Sequence, residues 1–259
     1  SKRERLVAIL TNSLTICNGR FPAIITLISL FLVSGSGFVG GIYSAFILAL
    51  IIVISLALTL LVSNILSKTL LKGENSHYIL EIPPYRKPQI SKVIVNSVLN
   101  RTLLVLFRAV VVAFPAGIII WLLANIYVGE NNILSYITAL FAPLGKFMGM
   151  DGETLSAFFL GIPANEIVLP ITLMSYLGAG EMVSIENATL IGEILKNNDW
   201  THITAICYIV FSVVHFPCAT ALLTIYKETK SAKWTFLAFV IPTVLGVVLC
   251  SLINIIGNI

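Results

Sequence analysis

Long apolar runs separated by short polar breaks occupy most of this chain. At about 20 residues per helical crossing of a bilayer, they predict membrane segments at 6–33, 42–64, 103–127, 132–148, 153–177, 201–226 and 234–256. Several runs contain Gly or Pro in their interior, so the pattern predicts an all-α, polytopic transmembrane helical bundle with broken helices. The segments 132–148 and 153–177 are expected to pair as a hairpin or re-entrant element. Gly35, Gly37, Gly40 and Gly41 read as a tight turn joining the first two segments.

One carboxylate interrupts these runs. Glu166 lies within Gly161-Ile162-Pro163-Ala164-Asn165-Glu166-Ile167-Val168-Leu169-Pro170, between the apolar stretches Leu155 to Leu160 and Ile171 to Leu177. A charge at mid-bilayer costs roughly 3 kcal/mol, so such residues face a cavity or pathway and take part in its chemistry. Gly161, Pro163 and Pro170 interrupt the helical ladder and free backbone groups to meet a solute. Two further breaks echo each other: Arg20-Phe21-Pro22-Ala23 near the start and His215-Phe216-Pro217-Cys218 near the end. Three helices broken at similar depth are the pattern of repeat-built transporters that bind solute near the midplane.

Composition agrees with a membrane protein. Of 259 residues, 58% are hydrophobic and 11% charged, against about 25% charged in soluble domains; the mean hydropathy is +0.98. The net charge of +4 does not indicate nucleic acid, because the bases are gathered in loops. They cluster as Lys2, Arg3 and Arg5, then Lys68, Lys72, Arg86, Lys87, Lys92 and Arg101, then Lys227, Lys230 and Lys233. Such loops are cytoplasmic by the positive-inside rule. Glu130, Glu181, Glu186, Glu193 and Asp199, joined by Lys196, mark the opposite side. The N-terminus is therefore expected inside and the C-terminus outside. The stretch from Lys68 to Arg101, with Ile82-Pro83-Pro84-Tyr85-Arg86-Lys87-Pro88 and the solvated His77, reads as an interfacial cytoplasmic connector. Cys17, Cys207, Cys218 and Cys250 all fall in apolar segments, which argues against a disulfide framework. Basic residues lead into the first apolar stretch with no cleavage site for a signal peptide, and Ser1 in place of Met suggests a trimmed start.

The polar residues at the breaks carry the candidate chemistry. Cys17 and Asn18 precede the first break, Asn165 and Glu166 follow the second, and His215 and Cys218 flank the third. Thiolate, imidazole, carboxylate and amide oxygen suit a divalent first-row metal; thiolate argues against magnesium or calcium, and the donor set does not identify the metal. The candidate metal-contacting residues are Cys17, Asn165, Glu166, His215 and Cys218. His215 and Cys218 can share a helical face if Pro217 does not distort it. Arg20 repels cations and suits an ion pair or a helix end better than a ligand role; Arg20 and Arg108 are both possible partners of Glu166. Met174 offers either a thioether or ordinary packing. Trp121, Trp200, Trp234 and the tyrosines suit interfacial belts. Without Cys-x-x-Cys or His-x-x-x-His spacing, a structural zinc site is not expected. The chain also lacks a P-loop, Gly-x-Ser-x-Gly, His-Glu-x-x-His and a dinucleotide fingerprint. No catalytic or cofactor-binding residue is assigned, and a transporter is expected rather than an enzyme.

Taken in order, Cys17-Asn18-Gly19-Arg20-Phe21-Pro22, Pro83-Pro84-Tyr85-Arg86, Pro143-Leu144-Gly145, Gly161-Ile162-Pro163-Ala164-Asn165-Glu166-Ile167-Val168 and His215-Phe216-Pro217-Cys218-Ala219-Thr220 resemble the membrane region of the ferrous iron transport protein B family. The resemblance implies ferrous iron import across a bacterial inner membrane, with Cys17, Glu166 and Cys218 at gate motifs. It implies residues 1–66 as the C-terminal part of a first gate region, 67–101 as a connector, and 102–259 as the permease core with a second gate. The family's GTP-binding domain and an earlier Gly-Cys-x-Val-Pro-Ala segment are not in this sequence. The resemblance therefore implies a C-terminal region whose partner is an N-terminal chain or domain with GTP-binding and first-gate parts. The ferrous ion is expected as cargo, GTP acts only through that other domain, and the lipid bilayer is the surrounding partner. A homo-oligomer is compatible with the sequence. Two other readings remain open: a gate-type transporter of a nucleoside-like solute using Asn165 and Glu166 as hydrogen-bond partners, and a membrane assembly module for a GTPase partner.

Overall fold

In the computed structural model, which describes residues 2–33, 37–71, 89–97, 102–180 and 187–257, the apolar runs become helices and their Gly and Pro clusters become breaks. Helices α1 (Lys2–Thr11) and α2 (Phe21–Leu27) form one interrupted span that closes with a wide turn at Ile28–Leu32. Helix α3 (Phe38–Lys68) is unbroken and mostly exposed, as a lipid-facing helix must be. A short α4 (Ile90–Ser97) precedes α5 (Leu103–Asn125). A ribbon pairing β1 (Tyr127–Val128) with β2 (Asn131–Asn132) leads into α6 (Ile133–Phe147), α7 (Gly152–Leu160) and α8 (Val168–Leu177). Helices α9 (Ala188–Asn197), α10 (His202–Val214), α11 (Ala219–Thr229) and α12 (Ala232–Gly257) complete the chain. Among the described residues, Arg3–Leu32, Phe38–Lys68, His202–Thr229 and Ala232–Gly257 are long and apolar enough to cross a membrane. The chain is a multi-pass helical membrane protein.

The two interrupted spans, α1–α2 and α10–α11, lie antiparallel and are tied at both ends. At one end the His202 Nδ1 meets the Phe31 carbonyl at 2.6 Å, and the Phe31 ring packs on Trp200 at 5.9 Å between centroids. At the other, Arg5 forms an ion pair with Glu228 at 2.9 Å. Helix α12 packs along α10, where the Cys250 Sγ lies 3.3 Å from the Cys207 carbonyl. Gly246 permits that approach, because a Cβ there would stand 2.9 Å from the Phe211 ring. All four cysteines are free thiols. The interior is aromatic: Phe158 meets Tyr208 at a tilt and Phe211 edge-on, each at 4.9 Å between centroids, and Phe216 stacks on Phe239 at 4.7 Å. Since lipid tails are as apolar as these rings, close packing rather than water exclusion holds them together.

Helices α7 and α8 form a hairpin that enters and leaves the bundle on the same side. Its base is closed where Tyr176 donates to the Asp151 carboxylate, 25 residues earlier in sequence, and Trp200 Nε1 donates to the Tyr176 hydroxyl at 2.7 Å. The Asp151 Oδ1 also caps α7 by accepting from the Thr154 amide at 2.7 Å. Helix α6 turns into α7 through 111°, and Gly152 lets the start of α7 press against the Thr138 carbonyl and Ala142.

The run 153–177 is two helices joined at a break, with Glu166 at the tip. The pair bent through 111° is α6 with α7, in line with the expected pairing of 132–148 with 153–177. Trp200 is buried at the hairpin base, where its indole N–H has a partner. The stretch between α8 and α10 contains helix α9, packed through Ile191, Gly192 and Leu195. Of the connector 67–101, the motif Ile82–Pro88 and His77 lie outside the described residues.

Candidate functional site

Each break follows from its own sequence. In the first, the chain leaves α1 through a tight turn at Asn12–Leu14, extends at Cys17, makes one turn at Asn18–Arg20 and starts α2 with Pro22 in its first turn. A proline there forfeits no helical hydrogen bond. In the hairpin tip, Gly161 is required because a Cβ would collide with the Val168 side chain. Ala164 is extended, and one turn at Asn165–Ile167 starts the path into α8. In the third break, His215 and Cys218 are both extended around Phe216-Pro217, which ends α10 and begins α11. His215 and Cys218 therefore do not share a helical face.

The three breaks meet. A Cβ on Gly19 would lie 3.2 Å from the Glu166 Oε2, so the carboxylate sits directly beside the first break. The Asn165 Nδ2 lies 3.7 Å from the Cys17 Sγ. The Ala219 amide donates to the Ile162 carbonyl at 2.7 Å, fixing the hairpin tip to the start of α11. Arg20 joins the first break to the third: it is buried, and its two terminal nitrogens donate to the carbonyls of Ser13 (3.3 Å), Val213 (2.8 Å), His215 (3.4 Å) and Phe216 (3.2 Å). The last three lie at or just past the end of α10, which leaves them without helical partners, and the first belongs to the turn that ends α1. Arg20 is thus a helix-end partner.

Polar atoms at this junction remain uncommitted. The Asn165 Oδ1 is buried and has no hydrogen-bond partner. Glu166 is exposed and forms no ion pair among the described residues, whose side chains do not include Arg108. Cys17 is exposed; Cys218 is half-buried, with its Sγ 3.0 Å from the Thr220 Oγ1. Both thiols lie within electrostatic reach of the Arg20 guanidinium. Such a buried acceptor without a donor needs an explanation, and a visiting ligand is one.

The expected residues divide accordingly. Cys17, Asn165 and Glu166 come together from two breaks, with Cys218 reached through Arg20. His215 stands behind them, its ring packed against Phe158 and Phe216 and its Nδ1 placed 3.0 Å from the carbonyls of Phe211 and Ser212. Its Nε2 is buried without a partner. Met174 is packed in the core. Among the described residues, no three His, Cys, Asp or Glu side chains are grouped to hold a metal ion. Sequence reasoning missed Ile162, Ser13 and Val213, whose contributions are backbone carbonyls, and Thr220 beside Cys218. A cavity of about 720 Å³ between α1, α5 and α11 has Ser13 and Pro217 in its wall and backs onto two breaks, away from Glu166.

Comparison with known proteins bears on this arrangement. Residues 48–100 match the family model described as Ferrous iron transport protein B C terminus, and residues 106–232 match the Gate model described as Nucleoside recognition. The Fe(2+) transporter FeoB of Staphylococcus aureus (strain MSSA476) is 30% identical over 270 residues, covering 100% of this chain and 37% of that protein. The Fe(2+) transporter FeoB of Methanocaldococcus jannaschii is 27% identical over 271 residues, with 99% and 38% covered. A Fe(2+) transport protein A/Fe(2+) transporter FeoB fusion protein of Porphyromonas gingivalis is 24% identical over 304 residues, with 99% and 35% covered. The chain thus spans well under half the length of these relatives. No solved structure matches it significantly.

Proposed function

The chain belongs to the ferrous iron transport protein B family, and from that premise we propose that it is a permease region carrying ferrous ion through the junction of its three breaks. The observation that carries the reading is the meeting of Cys17, Asn165 and Glu166 from separate breaks, with the Asn165 Oδ1 buried and unpartnered. Glu166 supplies the charge that draws a partly dehydrated ion to the hairpin tip. Asn165 supplies a neutral oxygen, and Cys17 and Cys218 make the path soft enough to favour ferrous ion over magnesium or calcium. The shell is incomplete, which suits transport: a site built to hold metal permanently would not release it.

The clustering of bases at Arg3, Arg5, Lys227, Lys230 and Lys233, brought to one end by the Arg5–Glu228 ion pair, supports a cytoplasmic N-terminus in a bacterial inner membrane. A GTP-binding domain and first-gate segment, on an adjoining part of the protein or a separate chain, would regulate passage. The match to the Nucleoside recognition model favours one alternative: an organic solute held by hydrogen bonds to Asn165 and Glu166, leaving the cysteines idle.

Ferrous ion uptake into cells lacking their own importer, with the presumed N-terminal partner coexpressed, tests both. Wild type restores uptake, and Glu166→Gln and Cys218→Ser each abolish it at equal membrane abundance. Uptake indifferent to both substitutions would sink the ion-path reading; loss with Glu166→Gln alone leaves an ion path that does not need the Cys218 thiol, and wild type that fails to restore ferrous ion uptake favours the organic solute.

A further inference from the structure

The Arg20 guanidinium is a fixed cation placed where a cation is to pass, and it has no carboxylate partner among the described residues. Its terminal N–H groups hold four backbone carbonyls, three of them at the end of α10, while its Nε is buried without a partner. The C-terminal end of a helix concentrates negative dipole charge, so α10 presents its carbonyls to Arg20 as an anion would. The contact crosses from the first break to the third, 193 residues apart in sequence between Arg20 and Val213. At the adjoining residue, Gly19, an added Cβ would stand 3.2 Å from the Glu166 Oε2, and both Cys17 and Cys218 lie within reach of the guanidinium charge.

We propose that Arg20 is a latch: a tethered cation that clasps the two interrupted spans while the path is empty, and that an arriving divalent ion drives off its carbonyls. This rests on the ion-path reading above. The physical cause is like-charge repulsion in a medium of low dielectric, where an ion beside Cys17, Glu166 and Cys218 makes the guanidinium's position unfavourable. With the clasp released, the carbonyls of Val213, His215 and Phe216 lose their donors and the α10–α11 break is free to move. Arg20 is a positioning residue in this scheme and contacts no cargo. It also accounts for a buried charge that pairs with no acid among the described residues.

The test is hydrogen–deuterium exchange of the peptide 211–222, followed by mass spectrometry on the full chain together with its presumed N-terminal partner in membrane vesicles, with and without ferrous ion. Ferrous ion uptake is measured on the same vesicles. In wild type the ion speeds exchange in this peptide several-fold. In Arg20→Gln exchange is already fast and indifferent to the ion, and Arg20→Lys recovers part of the response. A purely structural role would not make wild-type exchange depend on the ion, and that comparison holds even if a variant folds poorly. Uptake with unchanged exchange in wild type overturns the latch alone. Absence of uptake overturns the ion-path reading and the latch with it.

Discussion

The first and third breaks share a sequence pattern and divide its labour. Arg20-Phe21-Pro22 and His215-Phe216-Pro217 each place a polar residue before Phe-Pro at the end of a half-span. In the first, the side chain reaches out and donates; in the third, the backbone receives, and the His215 ring turns back onto α10. Phe216 and Pro217 are buried, whereas Pro22 is exposed. The thiols are also placed differently, Cys17 three residues before Arg20 and Cys218 three after His215. The repeated element is the backbone interruption, and the side chains around it are specialised as donor and acceptor.

Breaking the donor should have the largest effect. Arg20→Ala strands several buried carbonyls at once, and at about 1–3 kcal/mol for each unpaired buried group it should cost roughly 3 kcal/mol or more, read as a large fall in thermal stability in detergent. Next comes the hairpin that both breaks touch: Gly161→Ala forces a Cβ into Val168 and within 3.0 Å of the Ala157 carbonyl. An overpacked site of this kind costs about 1–3 kcal/mol, visible in the same measurement. His215→Phe sharpens the asymmetry, because Arg20 holds the His215 carbonyl and not its ring. It should remove only the Nδ1 contacts, about 1 kcal/mol, and an effect as large as that of Arg20→Ala would refute the division of labour. Gly19→Ala should barely alter stability, since the Glu166 carboxylate is flexible and exposed, yet it should displace that carboxylate and lower ferrous ion uptake.

The parts legible in sequence were those with side-chain signatures. The expected spans 42–64 and 234–256 correspond to α3 and α12 because unbroken apolar runs have one helical solution in lipid. The breaks were marked by Gly161, Pro163, Pro22 and Pro217. What sequence could not show was which atoms the breaks would present to one another. The Ile162–Ala219 bond and the Arg20 clasp use backbone carbonyls that every residue type carries alike. The hairpin was half-legible: its tip was named by Glu166, but its base depends on Asp151, Tyr176 and Trp200, far apart in sequence and individually ordinary.

That hairpin is a cantilever. Its root is pinned by Asp151, Tyr176 and Trp200, and its tip, which bears Asn165 and Glu166, is held to the start of α11 by the single Ala219–Ile162 hydrogen bond. Helix α8, at 1.5 Å rise per residue, makes an arm of about 14 Å, so a swing of roughly 10° about the root carries the tip some 2.4 Å. That travel is about the length of a bond from a first-row divalent cation to a carboxylate oxygen, roughly 2.0–2.2 Å. A rotation too small to disturb the root is therefore enough to bring an oxygen into contact with an ion or to take it away.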